Sequence, residues 1–262
     1  MLYLSPAITV YFCVLAALLG ACVGSFLNCM AWRIVHGEPI TKGRSHCDAC
    51  GHVLSAADLV PVVSFLAHRG KCRYCGAKLS RRHLWGEILS ALTFVALLLK
   101  YDISLQTLEY LLFASLLLGC AFADLEGYMI PDRFILAGII FRIPFFFLLP
   151  DWKGQVLDAA IGGFAIGGGL LLIVLAYEKI RRVEAMGGGD LKLLFLTGLY
   201  LGWQRNLLCL FFACILGIVV GLATAKKREE KLFPWGPSIA AGAILSALCG
   251  SELISAYLGL FG

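Results

Sequence analysis

Apolar residues fall along this chain in long blocks separated by short polar interruptions. Eight blocks read as membrane-crossing helices: 7–30, 85–100, 104–123, 130–149, 156–178, 190–203, 206–225 and 236–260. A full crossing takes roughly 20 apolar residues, so several of these are short. Residues 31–84 form the one sizeable polar segment. The pattern therefore predicts an all-α polytopic membrane protein with about eight transmembrane helices and a loop domain between helices 1 and 2. It divides into a first transmembrane helix (1–30), the loop domain (31–84) and a seven-helix membrane domain (85–262). The first block lacks a basic leader and is too long for a removable signal peptide, so it reads as a retained helix.

Composition agrees: 60% of the 262 residues are hydrophobic and only 15% are charged, against about 25% in a soluble domain. Charge then sets the orientation. Of the 22 Lys and Arg, nine lie in 31–84. Nine more (Arg133, Lys179, Arg181, Arg182, Lys192, Lys226, Lys227, Arg228 and Lys231) fall on the same side of the predicted spans. Only Lys100, Lys153 and Arg205 fall on the other side. Positive charge marks the cytoplasmic face, so the polar loop is expected in the cytosol and both termini outside. The basic balance reflects topology, with membrane lipid as partner and no role for nucleic acid.

Eleven cysteines would suggest disulfides in a secreted chain. Four of them argue otherwise. Cys47 and Cys50 form one CxxC, Cys72 and Cys75 a second, and 21 residues separate the pairs, close to the spacing of zinc ribbons. Each turn aims two thiolates at one point, and two turns complete a tetrahedral Zn²⁺ site with no open position, hence a structural metal. Gly51 and Gly76 follow the two pairs and suit tight turns. A reducing cytosol disfavours a disulfide here. His46 and His52 flank the first pair as substitute ligands or as surface histidines. The other seven cysteines (13, 22, 29, 120, 209, 214 and 249) lie in apolar blocks and read as packing residues.

Two acidic residues stand out at helix boundaries. Asp190 follows Gly187, Gly188 and Gly189 and precedes an apolar run, which fits a helix N-cap as well as a functional carboxylate. Asp124 closes an earlier block and is expected on the same side of the membrane. Acidic residues at such a position inside a bundle are functional candidates. Two carboxylates in a partly dry site share a proton, so that one activates water while its partner polarises a carbonyl. Asp132, directly after Pro131, reads as a cap. Glu126, Glu178, Glu184, Glu229 and Glu230 read as solvated charges.

The motifs resemble those of a known family. "GSFLN" (Gly24–Asn28) with Arg33, "RSHCDAC", "GKCRYCGAKLSRRHLWGE", "DLEGYMIPD" (Asp124–Asp132), "GGGDLK" (Gly187–Lys192) and "FPWGPSIAAG" (Phe233–Gly242) occur in order over nearly the whole chain. They resemble the bacterial type IV prepilin peptidases, bifunctional leader peptidase/N-methyltransferases of the GxGD aspartic protease class. The resemblance implies cleavage of prepilin or pseudopilin leaders after a glycine, for type IV pili or type II secretion, at the cytoplasmic face of the bacterial inner membrane. It also implies N-methylation of the new N-terminus with S-adenosylmethionine. By motif Asp124 and Asp190 become the catalytic pair, supported by Gly187, Gly188, Gly189 and Lys192, with the cysteine loop holding Zn²⁺. Gly24 and Glu87 are the candidates for the methyl-donor site, against helix packing for Gly24 and a charge at a helix start for Glu87. Two departures are Asp48–Ala49, where the family often has proline, and Trp235 in place of phenylalanine.

Helix position assigns the roles within the pair. Asp190, at a helix start and near Lys192, is expected to be the base, and Asp124, at a helix end, the acid. Arg142 lies within a predicted span and calls for an ion-pair partner, Glu109 or Asp158. Two alternatives remain at this stage: a peptidase-only member of the family, and a proton-coupled transporter with a zinc docking module.

Overall fold

The computed structural model describes residues 5–40, 43–47, 49–183, 186–224 and 233–260. Lys42, one of the nine basic residues of 31–84, lies outside the described residues, as do Asp48, Glu184, Lys226, Lys227, Arg228, Glu229, Glu230 and Lys231. The chain folds as two units, Met1–Ile103 and Ser104–Gly262. The first groups the polar loop with the helices that flank it.

In the first unit α1 (Pro6–Val35) starts with proline in its first turn, where the missing N–H costs nothing. It packs along α3 (Arg81–Tyr101), whose N-cap Ser80 accepts a hydrogen bond from the Arg82 amide. Glycines set the closeness of this pair. A Cβ on Gly20 would lie 2.7 Å from the Ser90 carbonyl, and one on Gly24 2.6 Å from Ser90 Oγ. The loop between them carries a 3-10 turn (Ala56–Leu59), the short α2 (Val63–Ala67) and two β-bridges, His46 with Val53 and Lys71 with Lys78.

The second unit holds α4 (Leu105–Gly127), α5 (Asp132–Leu148), α6 (Trp152–Ile161), a π-helical stretch (Gly162–Gly168), α7 (Gly169–Arg181), α8 (Gly188–Thr224) and α9 (Gly236–Leu258). Ser104 and Asp151 cap α4 and α6 by accepting from the amides of Thr107 and Gly154. Tyr128, at φ 52°, closes α4 in the left-handed region. The buried interior includes Phe113 stacked on Tyr200 at 4.2 Å, and Gly119 seated against the Phe134 ring.

Among the described residues six helices are long and apolar enough to cross a membrane. The two further predicted spans have specific explanations. The 130–149 block forms a helix of 17 residues, α5. The blocks 190–203 and 206–225 share α8, whose 37 residues would extend roughly 56 Å if straight, nearly twice a bilayer core. They are not straight. Gly202 sits at φ 72°, ψ 179°, and Asn206 Nδ2 donates to the Leu194 carbonyl at 3.2 Å while Thr197 Oγ1 bonds Asn206 Oδ1 at 2.7 Å. Residues 12 apart in a straight helix are about 18 Å apart, so limbs 188–201 and 203–224 double back on each other as a hairpin. Asp158 Oδ1 accepts from the Trp203 amide and so caps the second limb. A side chain at position 202 would collide with Asp158 Oδ2, so glycine alone suits this turn. The predicted stretches therefore all appear as helices once α5 and the two limbs are taken separately.

Candidate active site

One end of the second unit gathers the C-terminal turn of α4 and the N-terminal turns of α5, α8 and α9. Asp124, in the last turn of α4, is buried with 5% of its surface exposed. Its Oδ2 accepts a hydrogen bond from the Gly236 amide at 2.8 Å. This amide opens α9 and is followed by Pro237, so it is one of the helix-start donors that lack an intrahelical acceptor. Trp235 fixes where α9 starts, since its indole N–H donates to the Ala213 carbonyl on the second limb of α8 at 3.1 Å. A Cβ on Gly236 would lie 2.8 Å from Asp124 Oδ2, so only glycine lets the amide come this close.

Asp190 sits in the first turn of α8, which begins at Gly188, so the carboxylate lies inside the helix and does not cap it. It is half-buried, and its side chain makes no hydrogen bond among the described residues. The Asp190 and Asp124 carboxylates lie within electrostatic reach of each other. Of the three preceding glycines none has a positive φ. What they contribute is the absence of a side chain: a Cβ on Gly187 would meet Asp190 Oδ2 at 3.4 Å, one on Gly189 would press on Ile130 at 3.0 Å, and one on Gly188 would meet open space.

Three neighbouring residues behave differently from expectation. Lys192 does not serve Asp190, since its Nζ donates to Asp132 Oδ1 at 2.7 Å. Residues two apart on a helix do not face each other. Asp132 in turn is no cap, because Pro131 holds the N-cap position of α5. Both partners are largely exposed, so the pair is worth under about 1 kcal/mol. Glu126 belongs to the last turn of α4 and is half-buried.

At the other end of this unit Arg142, 6% exposed, pairs with Glu109 and also donates from Nε to the Leu199 carbonyl at 2.9 Å. Of its two expected partners Glu109 is the one it meets, while Asp158 is occupied at the α8 turn.

In the first unit the four thiols of Cys47, Cys50, Cys72 and Cys75 lie within 4.8 Å of one another. Sulfurs around a tetrahedral Zn²⁺ would be about 3.8 Å apart, and Cys47 Sγ lies 3.9 Å from Cys75 Sγ. Both CxxC turns have the same construction. The amide of Gly51 returns to the Cys47 carbonyl and that of Gly76 to the Cys72 carbonyl, with φ of 68° and 72° at the two glycines. Hydrogen bonds from the Cys75 and Tyr74 amides push the Cys72 thiol down to about 7, towards the thiolate a metal requires. The residues present thus fit a closed four-thiolate metal site. His46 and His52 stay outside it, His52 lying 3.7 Å from the Tyr74 ring.

Family models match both units. The bacterial peptidase A24 N-terminal domain covers residues 18–101 and the type IV leader peptidase family covers residues 111–222. A prepilin leader peptidase/N-methyltransferase of Bacillus subtilis is 33% identical over 91% of this chain and 95% of its own length. The chain belongs to the type IV leader peptidase family. Relatives of the same name from Pseudomonas putida (30% identical, 96% of each chain) and Myxococcus xanthus (36% identical, 80% of this chain and 62% of the relative) are also similar. No solved structure matches it.

For this leader peptidase family member the structure adds contacts that the motifs do not spell out. Gly24 packs on Ser90 and Gly86 of α3 and is not among the residues lining the cavity beside the cysteines. Glu87 is no exposed charge at a helix start. It is 8% exposed, and its Oε2 accepts from the Val62 amide at 2.7 Å. Val62 is a β-branched residue at φ 61°, a backbone state it does not adopt unaided. Sequence reasoning missed this turn, the Gly236 amide and Asp58, whose only signal was the Ser55-x-x-Asp58 pattern of a helix start.

Proposed function

We propose that this chain is a prepilin leader peptidase/N-methyltransferase of the inner membrane that hydrolyses the leader bond with Asp124 and Asp190. One observation carries the reading: a half-buried, unpartnered Asp190 carboxylate lies within reach of an Asp124 carboxylate held in place by the Gly236 amide. A positioned carboxylate and a free one meet the requirement for two different roles. Water attacks the scissile carbonyl carbon as one carboxylate takes its proton. The protonated partner hydrogen-bonds the carbonyl oxygen. The tetrahedral intermediate then collapses, the C–N bond breaks and the departing amine takes up a proton. Position at the start of α8 supports Asp190 as the base. Lys192 gives that assignment no support, because it is engaged with Asp132.

The open space above Gly188 fits an extended substrate backbone beside the first turn of α8. The distribution of Lys and Arg supports a cytoplasmic site, where a basic leader is met before the apolar helix that follows it. In the first unit we assign Zn²⁺ to the cysteine quartet, as a structural ion that orders 31–84. S-adenosylmethionine supplies, when bound, an electrophilic methyl group for the new amine. The division into an anchoring helix (1–30), a metal-ordered loop (31–84) and a peptidase domain (85–262) follows from this reading.

The test is incubation of the purified chain with a prepilin peptide in detergent, followed by mass spectrometry. The expected product has lost its leader after glycine and, with S-adenosylmethionine present, carries one added methyl. An uncleaved peptide overturns the peptidase reading. Cleavage without methylation leaves a peptidase-only enzyme.

A further inference from the structure

Beside the cysteine quartet a cavity of about 530 Å³ opens within the first unit, inside the size range of small-molecule and cofactor sites. Its walls mix aromatic and polar groups, including Trp32, Phe65, His68 and Glu87, and the metal-site residues Cys47 and Cys72. Asp58 faces into it with an unusual division of labour. Its Oδ2 is fully used, accepting from the Ser55 amide at 3.0 Å, the Ser55 hydroxyl at 2.7 Å and the Tyr74 hydroxyl at 3.0 Å. Its Oδ1 is buried and has no hydrogen-bond partner among the described residues. Only 6% of the side chain is exposed. The nearest basic nitrogens, His68 Nε2 and Arg73 Nη1, stand off at 3.8 and 4.0 Å.

Buried polar atoms are nearly always hydrogen-bonded, so an orphan acceptor needs an explanation. Here the three bonds to Oδ2 lock the carboxylate of Asp58, a residue of the cavity wall, and leave Oδ1 as its buried oxygen without a hydrogen bond. Such an atom waits for a donor supplied from the cavity. With the Arg73 guanidinium already nearby, a neutral hydroxyl suits it better than a second cation. Carboxylates take ribose hydroxyls in this way in other nucleotide sites. The cavity wall is also built at a cost. The turn into α2 holds Val62 at positive φ, its amide bonded to Glu87, and Ser64, Phe65 and His68 from that turn and helix line the cavity. Strain of this kind collects at ligand sites.

Resting on the methyltransferase reading above, we propose that this cavity is the S-adenosylmethionine site and that Asp58 Oδ1 accepts a hydrogen bond from a ribose hydroxyl, with Glu87 as a positioning residue for the wall. Asn at position 58 can keep an oxygen towards Ser55 while turning an NH₂ donor to the cavity, which makes Asp58→Asn the informative change. Ser55→Ala removes one support of Oδ2 and leaves Oδ1 in place.

The experiment is equilibrium dialysis of labelled S-adenosylmethionine against the full chain in detergent, with metal content measured for each variant. A ligand-side cut uses the 2′,3′-dideoxyribose analogue. We expect the wild-type chain to bind the dideoxy analogue about tenfold or more weakly than the parent. Asp58→Asn should weaken the parent by a similar factor and no longer distinguish the two ligands, while Ser55→Ala stays within about threefold of wild type. Equal wild-type affinity for the two ligands overturns the proposal without any variant and leaves the cavity to solvent. Asp58→Asn binding like wild type, or Ser55→Ala losing as much as Asp58→Asn, overturns it too. If the wild-type chain methylates yet shows any of these results, the site falls and the function stands. A wild-type chain that neither binds S-adenosylmethionine nor methylates overturns the methyltransferase reading and this site with it.

Discussion

The Gly236 amide donates to the Asp124 carboxylate at 2.8 Å, joining the first turn of α9 to the last turn of α4 across 112 residues of sequence. This places a backbone donor against one member of the proposed pair, in a spot where a side chain has no room. Gly236→Ala is therefore expected to displace Asp124 and lower kcat for leader cleavage by about a hundredfold, the scale on which a small misplacement acts. Because α9 is long and well packed, thermal unfolding in detergent should shift little. Normal cleavage by Gly236→Ala would show that this hydrogen bond is incidental.

Two of the three glycines before Asp190 are predicted to separate. Alanine at 189 presses on Ile130 and should lower both stability and cleavage. Alanine at 188 meets only open space, so the unfolding temperature should match wild type. If an extended substrate uses that space, KM for the prepilin peptide rises several-fold at 188 with kcat nearly kept. Steady-state kinetics on the two variants, beside their melting curves, distinguish protein packing from substrate room.

Arg142 and Glu109 form a buried pair. Removing one partner leaves an uncompensated charge, which costs about 3–5 kcal/mol. Arg142→Met and Glu109→Leu should each unfold at clearly lower temperature, and the double variant should recover most of the loss. Double-mutant analysis of thermal unfolding measures the coupling. Additive single effects would mean that the pair does not act as a unit.

Much of this architecture is legible in the chain's apolar blocks because membrane helices must satisfy every backbone group internally. The break between 203 and 206 anticipated the hairpin at Gly202, and the glycines after each CxxC do stand at positive φ. Other features left no sequence signal. The Gly236 donor is a backbone group, and nothing in a residue's identity says which carboxylate a distant amide will meet. Asp58 is missed because its one local signal is that of a helix start: the same short-range bonds that make a capping box also lock Oδ2. Lys192 misled through nearness in sequence: two residues on a helix diverge, and its side chain goes to Asp132 on α5. Glu87 is singled out by sequence as a methyl-donor-site candidate with a helix-start charge as the alternative, and neither reading foresees the Val62 amide that the fold brings onto it.

Chelation is predicted to separate the two activities. One Zn²⁺ per chain is expected by elemental analysis. A strong chelator, or Cys72→Ser, should abolish methylation and S-adenosylmethionine binding, since Cys47 and Cys72 also line the cavity. Leader cleavage should persist, because both aspartates and the Gly236 amide belong to the second unit. Loss of cleavage on chelation, reversed by adding Zn²⁺, would tie the metal to the peptidase as well.

Asp124 and Asp190 are the proposed catalytic pair, and conservative substitution tests both. Leader removal from a prepilin peptide is followed by mass spectrometry for wild type, Asp124→Asn and Asp190→Asn, all purified with normal melting behaviour. Both variants are predicted to lose at least about a thousandfold in kcat/KM, since each removes a carboxylate that the other cannot replace. Near-wild-type cleavage by either variant would contradict the two-aspartate account.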